Sequence, residues 1–261
     1  MRKSLPSKVW YCISPPVLMI ILNVFIYLGA ELVYQSFLAD SFADVDSFMD
    51  SFGSVISIIC YIAGIIIFYF MFKRDGLRGE SSLFKRWFYI PAVCVFGALA
   101  SHGLSILISL INIDGLLGSY SESSSSLFAS GVVLVIIRTV ILAPVAEELI
   151  FRGLLFKRTE SLLGFWPAAL ISAAIFGIYH LNLAQGIYAF LFGILFCLVY
   201  RRFGNLFACI LMHVCANLLS VILEFSGADY GQVWIYVVVM VCCLAASAAI
   251  YIFVLRDKRR V

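Results

Sequence analysis

Charge is what this sequence has least of. Asp, Glu, Lys and Arg make up 13% of its 261 residues, and 63% are hydrophobic. Soluble domains carry about 25% charged residues. Mean hydropathy is +1.05, so a soluble globular domain is excluded. The chain also lacks an ATP-binding motif, a dinucleotide fingerprint, an internal repeat and a His-Glu-x-x-His zinc signature. Nothing in it points to nucleotide chemistry or to nucleic acid as a partner. Its eight cysteines form no Cys-x-x-Cys, and all fall in apolar runs. They read as small apolar packing residues without a redox role.

A second scarcity gives the topology. Apolar segments can be drawn at roughly 9–34, 53–72, 88–113, 127–151, 166–182, 184–200, 205–224 and 232–255, each near the ~20 residues that a bilayer span needs. Apart from Arg138, every Lys and Arg lies before the first of these, after the last, or in alternate connections; the other connections hold none. They carry Asp40, Asp44, Asp46, Asp50, Asp114, Glu122 and Asp229 instead. By the positive-inside rule the chain is an all-α polytopic bundle of about eight spans with both termini cytoplasmic. Trp10, Trp87, Trp166 and Trp234 fall at the expected interfaces. The N-terminal run is too long for a cleaved signal and reads as an uncleaved anchor. The organisation is a three-span region, 1–126, followed by a five-span region, 127–261. Phe42, Val45, Phe48, Met49 and Phe52 recur at helical spacing, which predicts a short amphipathic helix on the outer surface within 41–53. The Ser-rich run Gly118 to Ser126 reads as a loop.

Against this background the few buried ionisable groups stand out. A charge inside hydrocarbon costs about 2.5–3.5 kcal/mol on insertion scales, so such a residue is a functional hypothesis by default. The fourth span runs into Ala143-Pro-Val-Ala-Glu-Glu-Leu-Ile-Phe-Arg-Gly153. On a helix Glu148 and Arg152 are i and i+4, in the favourable order for an ion pair. Glu147 sits about 100° further round, outside that pair. Pro144 cannot donate to the carbonyl of Val140, which predicts a kink just before the carboxylates. Phe176-Gly-Ile-Tyr-His180 closes span five, and His213-Val-Cys-Ala-Asn217 lies within span seven. At 1.5 Å per residue, Glu147, His180 and His213 all fall in the central part of a core about 30 Å thick. Span three carries His102 among small residues, where a hydrogen-bonded packing role is expected. Arg138 is expected to be a structural ion-pair partner of Glu224 or Asp114, with a substrate-carboxylate site as the other reading.

In this order, Glu147-Glu148-x-x-x-Arg152, Phe176-x-x-x-His180 and His213-x-x-x-Asn217 resemble the motifs of the CPBP family, also called Abi or type II CAAX prenyl endopeptidase-like. The resemblance covers roughly residues 130–225. It implies an intramembrane endopeptidase in which Glu147 and His180 activate water and His213 and Asn217 stabilise the oxyanion. Glu148 and Arg152 would support the site. The implied substrate is a membrane-embedded or lipidated peptide, with CAAX-like processing or bacteriocin self-immunity as settings. The implied location is a bacterial cytoplasmic membrane, with a cavity facing the cytoplasm. The cofactor expectation is none or Zn; a zinc ion would take Glu147, His180 and His213 as a His₂Glu set. On the residues alone a proton-coupled carrier and a non-catalytic scaffold also stay open.

Overall fold

A computed structural model describes residues 4–76, 87–111 and 131–256. The expected loop 118–126 lies outside them. So do Asp114, Glu122, Arg2, Lys3, Arg78, Lys85, Arg86, Lys258, Arg259 and Arg260. Among the described residues all regular structure is helical, as a chain that must satisfy its backbone inside a bilayer requires. The helices are α1 (Leu5–Val33), α2 (Val45–Arg74), α3 (Tyr89–Leu110), α4 (132–163), α5 (Phe165–Tyr179), α6 (Leu183–Phe203), α7 (Leu206–Ser226) and α8 (Val233–Ile250). By length and composition, six of the segments can cross a membrane: Leu5–Ser41, Val45–Arg74, Tyr89–Leu110, Leu183–Phe203, Leu206–Ser226 and Val233–Leu255. The protein is a polytopic helical bundle. The other two rods are α5, which is shorter, and α4, which holds the buried charges.

The rods share a common end. Arg158 of α4 donates from Nε to Asp75 Oδ2 at 2.8 Å and from Nη1 to the Tyr11 carbonyl at 2.6 Å. Tyr11 in turn donates to Asp75 at 3.0 Å. This ties the start of α1 to the ends of α2 and α4. Arg201 at the end of α6 lies over the Phe165 ring at the start of α5, and Arg202 over the Tyr89 ring at the start of α3. The basic residues named here therefore gather at one end of the bundle. The ends of α3 and α7 and the loop 227–232 lie at the other end, where His102 bonds Tyr230.

The amphipathic segment differs from expectation. It is not a separate surface helix but the first turns of α2, which runs unbroken from Val45 to Arg74. Asp44 caps it in a reciprocal capping box with Ser47, and Gly53 is tolerated in a helix interior at a cost of about 1 kcal/mol. Its apolar face packs as expected, Phe48 stacking on Tyr34 and edging Phe42. All eight cysteines are free thiols.

Close packing positions the α5–α6 pair. A methyl group on Gly177 would lie 2.6 Å from the Gly186 carbonyl oxygen, so only glycine allows this approach. Fifteen residues make α5 about 22 Å long, less than the ~30 Å core. Its C-terminus, with His180, thus stops below the far interface. The chain reverses there through Leu181, the one described non-glycine residue with positive φ (55°). Asn182 then caps α6 by accepting from the Gln185 N–H. Irregular backbone at membrane depth is tolerated where it lines a cavity, and this turn does.

Candidate active site

Helix α4 is not a regular α-helix. It is π-helical over Ile136–Leu142 and again over Leu149–Phe156, with α-turns at Ala143–Glu148 between them. The first wide turn follows from Pro144. The Ala143 N–H donates to the Arg138 carbonyl, five residues back. The next bond in that register would run from residue 144 to the Thr139 carbonyl, and proline has no N–H to give. Asn217 of α7 takes its place, donating from Nδ2 to the Thr139 carbonyl at 2.8 Å. A missing backbone donor on one helix thus fixes a side chain on another. The expected kink site is a re-registered turn whose free carbonyl is used across the interface.

The Glu148–Arg152 pair forms as the spacing requires. Nη1 to Oε1 is 3.0 Å, and both side chains are fully buried. The guanidinium lies between two rings, 4.4 Å from Phe176 and 4.5 Å from Phe196. Such stacking suits the planar, weakly hydrated arginine head. Gly193 leaves room for it, since a methyl group there would lie 3.0 Å from Nη2. His213 Nδ1 is 3.0 Å from Glu148 Oε1, the same oxygen that Arg152 holds. An ionised carboxylate can only accept, so Nδ1 carries the proton. His213 Nε2 faces Glu147 Oε2 at 3.8 Å.

His180 is fixed from its own helix. Its Nδ1 donates to the Phe176 carbonyl at 2.8 Å, and the Phe176 ring packs edge-on against it at 4.8 Å. In the neutral ring this leaves Nε2 as the acceptor. Phe176 serves both sides, limiting His180 on one and covering Arg152 on the other.

These groups meet at a cavity of about 390 Å³, whose walls include Glu147, His180, His213 and Asn217. Glu148 and Arg152 lie behind the wall and support it. The Thr139, Ala143 and Glu147 positions form one row of the α4 wall, with Arg138 beside it. The sequence did not single out Tyr61, Tyr179, Tyr188 or Gln185, which also line it. Gln185 is a polar residue in an apolar run and offered a signal; the tyrosines did not. Arg138 stands in this wall, while Glu224, one of its two expected partners, lines a second cavity; the other, Asp114, lies outside the described residues. His102 faces that second cavity and donates to or accepts from Tyr230 at 2.9 Å. Among the described residues no three His, Cys, Asp or Glu side chains converge closely enough to hold a metal ion. Glu147, His180 and His213 therefore do not fit a preformed zinc site.

Residues 129–219 match the family described as type II CAAX prenyl endopeptidase Rce1-like. A protein of Bacillus subtilis (strain 168) named "Putative membrane peptidase YdiL" is 28% identical over 179 residues, covering 65% of this chain and 71% of that one. Both comparisons support a membrane protease. No solved structure matches the chain. The matched region runs from just before α4 into α7 and contains every motif residue described above.

Proposed function

We propose that the protein is an intramembrane endopeptidase of the glutamate type, using water activated by Glu147 and His180. The observation that carries this reading is the shared cavity, where Glu147 from α4, His180 from the end of α5, and His213 with Asn217 from α7 come together. Glu147 is 8% exposed, against 0% for Glu148, so it is the carboxylate that substrate and water can reach. Water held by Glu147 and by His180 Nε2 attacks the scissile carbonyl. Its proton passes to Glu147 and on to the leaving amine as the C–N bond breaks. The oxyanion forms toward His213 Nε2 and the remaining Asn217 N–H. Donation from Nε2 needs a proton there, and Nδ1–H is committed to Glu148. The scheme therefore requires a proton on both ring nitrogens of His213 when the oxyanion forms. Preorganised donors of this kind are worth several kcal/mol in a water-poor site.

The substrate class is a membrane-embedded or lipidated peptide, and the setting is a bacterial cytoplasmic membrane. The reaction needs no metal in this scheme. The test is cleavage of a membrane-peptide library by purified protein in nanodiscs, with wild type, Glu147→Gln and added chelator run side by side. Cleavage that survives chelation and falls about 10²–10⁴-fold in Glu147→Gln is expected, the range for loss of a general base. Full turnover in Glu147→Gln would remove the assigned base. Cleavage lost to chelator and restored by zinc would replace the glutamate scheme with a metal one.

A further inference from the structure

The sequence led us to expect a catalytic cavity facing the cytoplasm; the walls of the cavity point the other way. Depth can be counted from the basic end at about 1.5 Å per residue. On α4, Glu147 lies about 15 Å from Lys157; on α7, His213 lies about 12 Å from Asn205. These form the floor. The remaining wall residues rise away from it: Ser220 at about 22 Å on α7, Gln185 at about 24 Å from Arg201 on α6, and Arg138 further still on α4. Below the floor the bundle is closed. Every residue from Leu149 to Phe156 is buried, and Phe192, Phe196 and Phe203 are at most 2% exposed.

Above the floor the polar route continues. A second cavity of about 290 Å³ is lined by His102, Ser109, Glu224, Tyr230 and Tyr236, and it shares Ser105 and Ser220 with the first. The two volumes therefore abut across a pair of serines on α3 and α7. Tyr230 and its neighbour Asp229 belong to the loop 227–232, at the end of the bundle opposite the basic residues. Asp229 accepts from the Gly231 N–H at 2.8 Å and from Tyr236 at 2.7 Å, which orders that loop over the mouth.

We infer that the catalytic cavity is reached from the extracytoplasmic side, through the His102–Tyr230–Glu224 vestibule and past Ser105 and Ser220. The inference rests on the proposed protease reading for its meaning and on the positive-inside rule for its sign. Its consequence is a substrate class: peptides or membrane-protein segments exposed at the outer leaflet, rather than tails presented from the cytoplasm.

The test reads accessibility without cleavage, so its failure and the failure of the protease reading are separable. Ser105→Cys, Gln185→Cys and Ser220→Cys would be expressed singly with the wild-type protein as background. Arg201→Cys marks the basic end and Asp229→Cys the opposite end. A charged, membrane-impermeant methanethiosulfonate is applied to intact cells and to inverted vesicles. Ser220→Cys and at least one other cavity variant should react at least tenfold faster in intact cells, together with Asp229→Cys, while Arg201→Cys reacts in inverted vesicles. Cavity variants that react with Arg201→Cys overturn the proposal. So does a cavity that stays unreactive from both sides while Asp229→Cys labels, because the route would then be closed.

Discussion

Replacing Arg152 by methionine should be among the most damaging single changes outside the cavity wall. The guanidinium is fully buried, bonded to Glu148 at 3.0 Å and flanked by Phe176 and Phe196. Removing one partner of a buried pair leaves the other charge stranded, at about 3–5 kcal/mol. Desolvated cation–π contacts add about 2 kcal/mol, of which methionine returns about 0.3–1.5 kcal/mol through sulfur–aromatic contact. His213 still bonds Glu148 at 3.0 Å, which keeps the net loss near the lower end, about 3–4 kcal/mol. That is a large share of the about 5–15 kcal/mol that holds a typical protein folded. The assay is equilibrium unfolding in mixed micelles for wild type, Arg152→Met, Glu148→Gln and the double variant. If the loss comes from a stranded carboxylate, neutralising Glu148 in the Arg152→Met background should return about 2–3 kcal/mol as coupling. Arg152→Met within about 1 kcal/mol of wild type, or a double variant no better than the sum of the singles, would refute the ion-pair argument.

Three other outcomes follow from particular contacts. Gly177→Ala should cost more than the about 1–3 kcal/mol usual for overpacking, since the new methyl would lie 2.6 Å from a backbone carbonyl oxygen that cannot rotate away; Gly193→Ala, whose new methyl would lie no nearer than 3.0 Å to Arg152 Nη2 and the Ala173 methyl, should cost less, as compared by thermal unfolding in detergent. Pro144→Ala supplies an N–H in register with the Thr139 carbonyl and competes with Asn217, so turnover should fall while folded yield holds; unchanged turnover would mean that Asn217 is positioned by other contacts. Asp44 is held below the usual carboxylate range by bonds from the Ser47 hydroxyl and N–H; its contribution is full above about pH 4 and is lost as pH falls through the lowered value, so Asp44→Asn should flatten the acid limb of the unfolding curve.

Much of the site was legible because intramembrane charge is rare. Glu147, Glu148, Arg152, His180, His213 and Asn217 announced themselves by residue type in apolar runs, and i, i+4 spacing gave the Glu148–Arg152 pair directly. The helical class and the grouping of basic residues at one end followed from the same scarcity. Three features were not legible. The fusion of the amphipathic segment, from Val45 onward, into α2 depends on Gly53 being tolerated inside a helix, which periodicity cannot decide. The tyrosines of the wall have no distinguishing mark, because tyrosine is common in any membrane bundle. The direction in which the cavity opens needs the third dimension: depth arithmetic gave the level of each group but not which side of that level was packed shut.

The π-helical register of α4 explains why one helix can serve such different neighbours. In a regular α-helix nine residues make two and a half turns, which puts Arg138 and Glu147 on opposite faces. The wide turns over Ile136–Leu142 lower the rotation per residue and bring both into one cavity wall. Wide turns are rare and frequently sit at functional sites; here Pro144 has no N–H to give the Thr139 carbonyl, so the bundle must make up the loss. It does so at one point with Asn217 on the Thr139 carbonyl, and along Leu149–Phe156 by burying the entire second wide stretch against α1, α2 and α5. The fully packed stretch is also what closes the basic end. The same departure from α-geometry that gathers the polar wall therefore sets the floor beneath it, and a change that restored regular α-register to α4 should disturb the site and its closure together.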